Sequence, residues 1–556
     1  MNKKVCSFPI LFALLALLIG ACAVVFPASA QAAPTSTGSI TVSGTVASSY
    51  DAYQIFSANV VDGDTDAKIA TDLAWASDAA RDAVLPVLYG AGMSKSQTTA
   101  QEAAEWLNTD SHLTSALSAQ LARSLQSSGA VSVALNAGTT AELPCGYWLI
   151  VADDDSIAQG EAGTAPVMAL VGGSAVTVKP KAATPKIAKH VLEDSTAAWQ
   201  KAADATVADD LYWRLSATVP AGLAAYDTYT VRFVDTMSAG LDPSKVAASM
   251  RVYVAAGTDG GFDAVSTGKD GRAGTEPAKG WTDITAQCAT KVAADGKTFT
   301  VRTGDLIAAL GGADAFTAGA RVVAVYNAPL NSACNHGIAK GNPNEVYLRY
   351  PRSPFADQSG DAGFTRTPSD DACAYTWDLA LTKRGSDGDK PLAGAVLSIA
   401  DDRGRTLAAD GTWDAEGKAT VTTGEDGRVT VSGVDSGKLE VRELKAPKGY
   451  TAFEGTRSVT VKAEGLDVDQ VAAAKPKLTI TAESPLRADS ADGSTGSLEA
   501  SIINSPDGTP PSIFTGGFMP STGDMAMYAA AAAVVAGAAL IVVALLVKRG
   551  GGSHKE

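Results

Sequence analysis

Histidine and cysteine are scarce in this chain, four and six among 556 residues, and neither is clustered. Beyond residue 30 the cysteines are Cys145, Cys288, Cys334 and Cys373, widely spaced and outside any C-x-x-C or Cys/His pattern. That spacing offers no zinc or iron–sulfur ligand set, so no metal is expected. It leaves the disulfide pairing of the four open, since bridges form freely in an oxidising compartment. A Ser/His/Asp arrangement and a phosphate-binding glycine loop are both missing, which removes the usual signatures of hydrolases and nucleotide-dependent enzymes. No cofactor is implied, and the chain does not read as an enzyme acting on an outside substrate. Positive charge is in deficit too: 45 Lys and Arg face 60 Asp and Glu, for a formal net charge of -15. This argues against nucleic acid as a partner, because phosphate binding needs clustered Lys and Arg.

What is present begins at the ends. Lys3 and Lys4 precede an apolar run from Phe8 to Phe26, and Ala28, Ser29 and Ala30 follow as an A-x-A cleavage site. Residues 1–30 therefore read as a secretory signal peptide. Cys22, after Ile19, Gly20 and Ala21, also fits a lipoprotein box, but it sits inside the apolar run and a second anchor lies downstream. That anchor is the uncharged stretch 525–547. At about 1.5 Å per residue it is long enough to cross a hydrocarbon core of roughly 30 Å as a transmembrane helix. Lys548 and Arg549 open a tail, 548–556, whose positive charge holds it in the cytoplasm and puts the preceding chain outside the cell.

Directly before the span stand Met519, Pro520, Ser521, Thr522 and Gly523. They resemble the LPxTG sorting signal of Gram-positive sortase substrates, with Met for Leu, and signal, span and basic tail come in the required order. The resemblance implies that a sortase cysteine attacks the Thr522 carbonyl, releases Gly523 onward and passes the acyl group to an amine.

Between the ends, hydrophobic content of 46% supports folded domains with cores of their own. The pattern is mostly β and divides into three: 34–180, 181–362 and 375–508, followed by a Gly/Pro/Ser-containing spacer, 509–518. In the first, strand patterns such as 39–46, 146–151 and 175–178 flank a helical insertion. There Leu113, Leu117, Leu121 and Leu125 recur at i+4 spacing, a stripe that belongs in the core of its own domain. The other two regions alternate strand patterns with Gly/Asp-rich turns and read as tandem Ig-like β-sandwiches, joined by a polar connection near Ser369 to Asp371.

Residues two apart on a strand share a face, so a polar residue in phase with the apolar set points into the core. In the third region Lys383 is in phase with Trp377, Leu379 and Leu381; Glu443 with Leu439 and Val441; and Asn504 with Leu498, Ala500 and Ile502. The second region repeats the set. Lys189 is in phase with Ile187 and Val191, Asp235 with Tyr229, Val231 and Phe233, and Asn344 with Val346, Leu348 and Tyr350. Asn327 and Asn331 lie near enough in sequence to remain alternative acceptors. Burial favours the neutral forms of both partners, lowering a lysine pKa and raising a carboxyl pKa by up to about 3–5 units. A neutral amine beside a carboxamide, with a protonated acid to shuttle protons, is competent to form an intramolecular isopeptide bond. The plainer alternative is a pair of ordinary buried ion pairs.

Leu439 to Tyr450, with Glu443 inside it, resembles the glutamate box of collagen-adhesin B-type domains, and Leu381 to Lys383 and Ile503 to Pro506 match that family's opening and closing strands. Val231 to Leu241, containing Asp235, and Gly341 to Leu348, containing Asn344, resemble the isopeptide-forming second domain of fimbrial shaft proteins. Tyr50 to Phe56 is similar to the start of pilin N-terminal domains. Val176, Val178, Pro180 and Lys181 resemble the V-x-V-x-P-K pilin motif, with Gly172 where that motif has Trp; Lys179 is the rival to Lys181. The resemblance implies a shaft pilin polymerised through Lys181. Its partners would be pilin-specific and housekeeping sortases, further copies of itself, peptidoglycan, minor pilins and host surface ligands. A monomeric wall-anchored adhesin is the alternative.

Overall fold

The computed structural model describes residues 36–508, apart from 45, 64–66, 110–111, 164, 181–183, 221–222, 258–279 and 317–318. The expected signal peptide with Cys22, Lys181, the LPxTG-like stretch Met519 to Gly523 and the expected span 525–547 all lie outside the described residues. Among the described residues no helix is long and apolar enough to cross a membrane.

Strands dominate, and the described residues form six sheets, two in each of three successive regions. In the first region Thr37–Val42 pairs with Thr140–Pro144 and, in parallel, with Val176–Val178. Its other sheet is built around Ser49–Asp62 and Gly146–Ala152. The helical insertion is three helices, α1 (Asp78–Gly90), α2 (Ala100–Asn108) and α3 (Ser115–Ser127). Each starts where Ser77, Thr99 or Thr114 accepts a free backbone N–H, and Glu102 returns the bond to the Thr99 backbone. Leu117, Leu121 and Leu125 pack in one core with Ile55, Phe56 and Leu149, as the i+4 stripe predicts. Leu113 departs from the stripe: it precedes the first turn of α3 and is 37% exposed.

In the second region Ile187–Glu193, Tyr212–Thr218, Arg321–Asn327 and Arg251–Ala255 are successive neighbours in one sheet. Asp370–Tyr375, Asn342–Pro351, Arg232–Met237 and Thr298–Arg302 are successive neighbours in the other. The stretch read as a polar connection belongs to this sheet, because Asp370–Tyr375 is a strand paired antiparallel with Asn342–Pro351. Its two aspartates are tolerated there because Lys201 Nζ donates to Asp370 Oδ2 and to the Asp371 carbonyl, and the Lys189 backbone N–H donates to Asp370. Only Thr376 separates this strand from Trp377–Gly385, which opens the third region.

There Trp377–Gly385 lies between antiparallel Arg428–Val434 and parallel Ser497–Pro506. The facing sheet runs Val396–Ala400, Gly437–Lys445, Thr456–Glu464, Lys477–Ala482. Leu379, Leu381, Val441, Val459, Leu498 and Ile502 fill the space between.

All four described cysteines are free thiols. Burial pushes Cys288, Cys334 and Cys373 up to about 11, which keeps them protonated and unreactive.

Candidate functional site

In the third region the alternation of Trp377–Gly385 carries Lys383 into the core behind Leu379 and Leu381, and its side chain is wholly buried. The parallel ladder sets Gly385 beside Asn504, so Lys383 meets the asparagine diagonally, within one sheet. Glu443 comes from the facing sheet. Lys383 Nζ donates to Asn504 Oδ1 and lies 3.0 Å from Glu443 Oε1, while Asn504 Nδ2 donates to that same Oε1 at 2.9 Å. The Phe453 backbone N–H holds the second carboxyl oxygen at 3.1 Å. Burial drives the Lys383 ammonium down to about 8, against the opposing pull of Glu443.

The second region assembles the same residue types differently. Asp235 and Asn344 stand on neighbouring antiparallel strands of one sheet, where Met237 is opposite Asn344. Lys189 reaches them from the other sheet. All three are fully buried. Lys189 Nζ donates to Asp235 Oδ2 and, at 2.9 Å, to the hydroxyl of Tyr326. Tyr326 donates to Asp235 Oδ2 at 3.1 Å and accepts from Asn344 Nδ2 at 2.8 Å. Among the described residues Asp235 Oδ1 and Asn344 Oδ1 are buried without a hydrogen-bond partner. Burial lowers Lys189 to about 8, although Asp235 and Asp370 pull the other way, and it raises the Asp235 carboxyl despite Lys189. Both changes favour a neutral amine beside a neutral acid.

Residues 378–475 match the family model of the SpaA prealbumin-like fold domain. The third region is a prealbumin-like domain. The chain is also similar to the trypsin-resistant surface T6 protein of Streptococcus pyogenes serotype M6, at 30% identity over 143 residues, 24% of each chain. It thus spans about a quarter of the length of that curated relative. Among solved structures, the T6 backbone pilin of serotype M6 Streptococcus pyogenes aligns at 17% identity and a TM-score of 0.46, over 85% of this chain and 98% of the other. The full-length major pilin SpaD of Corynebacterium diphtheriae aligns at 15% identity and a TM-score of 0.40, with the same coverage.

The matched stretch contains Lys383 and Glu443, and Asn504 lies beyond it on the strand that pairs with Trp377–Gly385. Of the acceptors left open in the second region, Asn327 is engaged elsewhere: its Oδ1 accepts from the Leu211 backbone and its Nδ2 donates to Asp210. Asn331 donates to the Ala239 carbonyl at the surface. Asn344 is the one in contact with the Lys189 cluster. At the end of the first region Thr177 is exposed and Val178 buried, and Lys179 is exposed.

Tyr326 is the residue that sequence reasoning missed. The signal was there, since Val322, Ala324 and Tyr326 alternate into the core. A buried phenol must find a partner for its hydroxyl, so an inward tyrosine deserves the same question as an inward lysine.

Proposed function

We propose that this chain is the shaft subunit of a covalently polymerised, sortase-assembled pilus anchored to the Gram-positive cell wall, each sandwich locked by a self-formed Lys–Asn isopeptide bond. The observation that carries the reading is that two separate sandwiches each bury a lysine, an acid and an asparagine in one hydrogen-bonded cluster.

The chemistry follows from the burial. The acid takes one proton from the lysine ammonium, leaving a neutral amine and a neutral carboxyl. The Nζ lone pair attacks Cγ of the asparagine, and the C=O π electrons move onto Oδ1. A proton from Nζ passes by way of the acid to Nδ2; the Cγ–Nδ2 bond then breaks, ammonia leaves, and the C=O bond reforms. Asp235 serves Lys189 and Asn344, and Glu443 serves Lys383 and Asn504. Each of the two reactions happens once and on the molecule itself, so the protein remains structural.

Assembly uses the other chemistry. Sortase activation at Thr522 followed by capture on Lys181 of another copy, or on its rival Lys179, builds the fibre, and transfer to peptidoglycan ends it. Minor pilins and host surface ligands are the remaining partners, in support of adhesion.

Intact mass tests the internal bonds. Each one expels ammonia, about 17 Da, so the folded exterior portion is expected to weigh about 34 Da less than its composition. Asp235→Ala and Glu443→Ala should each restore one increment, and a wild-type mass equal to composition refutes the bonds. A ladder of covalent multimers abolished by Lys181→Ala tests the polymer, whereas a single wall-released band supports the adhesin instead.

A further inference from the structure

The two clusters solve one geometric problem with acids of different length. Glu443 touches both reactants, since Lys383 Nζ lies 3.0 Å from its Oε1 and Asn504 Nδ2 donates to the same oxygen at 2.9 Å. Asp235 is shorter by one methylene. It holds the lysine and Tyr326, and the Tyr326 hydroxyl in turn holds Asn344 at 2.8 Å. The phenol therefore stands where the extra reach of a glutamate would otherwise be needed.

We propose that Tyr326 is a catalytic residue of the second-region reaction, its hydroxyl extending Asp235 to the Asn344 carboxamide so that the pair does what Glu443 does alone. This rests on the isopeptide reading above. The phenol is wholly buried and packed edge-on against Phe299, with ring centroids 4.8 Å apart, so its hydroxyl has little freedom to leave the cluster. In the ground state the phenol oxygen accepts from Lys189 and Asn344 and donates to Asp235. The nitrogen that must leave, Asn344 Nδ2, therefore already faces the phenol, while Asn344 Oδ1 has no hydrogen-bond partner among the described residues.

Nζ of the neutral lysine attacks Cγ of Asn344 and the C=O π electrons move onto Oδ1. The new Nζ–Cγ bond makes Nζ acidic, and Nδ2 now has a lone pair to be protonated. Asp235, which holds the proton first taken from the ammonium, passes it to the phenol oxygen as the phenol gives its own proton to Nδ2, and the Asp235 carboxylate then takes the proton from Nζ. Oδ1 returns its electron pair to the C=O bond, the Cγ–Nδ2 bond breaks and ammonia leaves. The phenol ends with one proton, as it began, and Asp235 ends protonated, so every proton and electron pair is accounted for.

The test is the rate of cross-linking in the full-length chain, made by cell-free translation, quenched at intervals and digested. The Lys189–Asn344 branched peptide is then quantified by mass spectrometry. Tyr326→Phe removes the hydroxyl and keeps the ring; the branched peptide should form about a hundredfold more slowly or worse. The Lys383–Asn504 peptide in the same samples should keep its wild-type rate. Fluorinated tyrosine placed at position 326 keeps the hydroxyl and makes it a stronger donor, so it separates chemistry from packing even where the phenylalanine variant folds poorly. A rate that changes with phenol acidity supports the proposal. Wild-type rates in Tyr326→Phe, or indifference to fluorination, overturn it. Absence of the Lys189–Asn344 peptide from the wild-type chain overturns the cross-linking reading itself, and this inference with it.

Discussion

A pulling experiment distinguishes the two sandwiches, because the proposed bonds would sit differently in the path of the load. With the proposed bond in place, force in the prealbumin-like domain would enter at Trp377, run along its strand to Lys383, cross to Asn504 and leave past Pro506. The chain between Lys383 and Asn504 would then carry no load. In the second region force would enter near Ile187 and cross the proposed bond from Lys189 to Asn344, but Asn344 is not at the exit. The 31 residues Glu345 to Tyr375 follow it, and the strand Asp370–Tyr375 is paired antiparallel so that Ala372 lies opposite Asn344. Pulling at Tyr375 therefore peels that strand back from its exit end, and the freed chain lengthens the tether by about 100 Å at roughly 3.3–3.6 Å per residue. Without the bond, the whole stretch from Ile187 to Tyr375 opens and the gain is about 600 Å. The assay is single-molecule force spectroscopy with handles flanking residues 187 and 506, on wild type and on Asp235→Ala. One step near 100 Å in wild type, replaced by one near 600 Å in the variant, is the expected result. A wild-type tether that never gains the short step at forces that open Asp235→Ala would refute the load path; one that gains the long step would refute the bond.

Glu443→Ala should stop the cross-link between Lys383 and Asn504, which are 121 residues apart, and release about 5 kcal/mol of loop entropy to the unfolded chain if the disulfide relation holds for this bond. Stranding the Lys383 charge costs about 3–5 kcal/mol more, so calorimetry should show the prealbumin-like transition falling by at least about 15 °C. Asn344→Ala should abolish the second-region cross-link in a peptide map. Asn327→Ala, which loses its hydrogen bonds to Leu211 and Asp210, should keep the cross-link while costing about 1–3 kcal/mol of stability. Where the second and third regions meet, Asp204 accepts from Trp377 Nε1 and from the backbone and hydroxyl of Ser436, with Glu193, Asp194 and Asp435 close by and Arg403 paired to Asp194. Burial raises Glu193 from 4.5 to about 7 and raises Asp194 and Asp435 as well, so the folded chain binds protons that the unfolded chain has lost. Stability from Glu193 is then full below about pH 4.5 and lost as pH rises through about 7, roughly 3 kcal/mol in all; melting temperature should fall between pH 5 and pH 8, less steeply in Glu193→Gln.

Much of this architecture is written locally, and what is not depends on contacts between sheets. The inward phase of Lys189, Asp235, Asn344, Lys383, Glu443 and Asn504 follows from a period of two, which any strand imposes on its own residues. Which of them share a sheet does not. Lys383 and Asn504 are diagonal neighbours on parallel strands, whereas Lys189 faces Asp235 and Asn344 across the core, and no pattern within a strand encodes that difference. Asp370 and Asp371 misled for a related reason. Adjacent aspartates disfavour a strand, yet Lys201, 169 residues earlier, supplies the countercharge that lets them join one. Tyr326 is the most instructive omission. The sequence shows an aspartate in one cluster and a glutamate in the other, and a carboxyl one methylene short must either leave its amide unheld or recruit a hydroxyl. The inward tyrosine on Arg321–Asn327 was available to fill that role, so the length of the acid was itself a clue to a fourth member of the cluster.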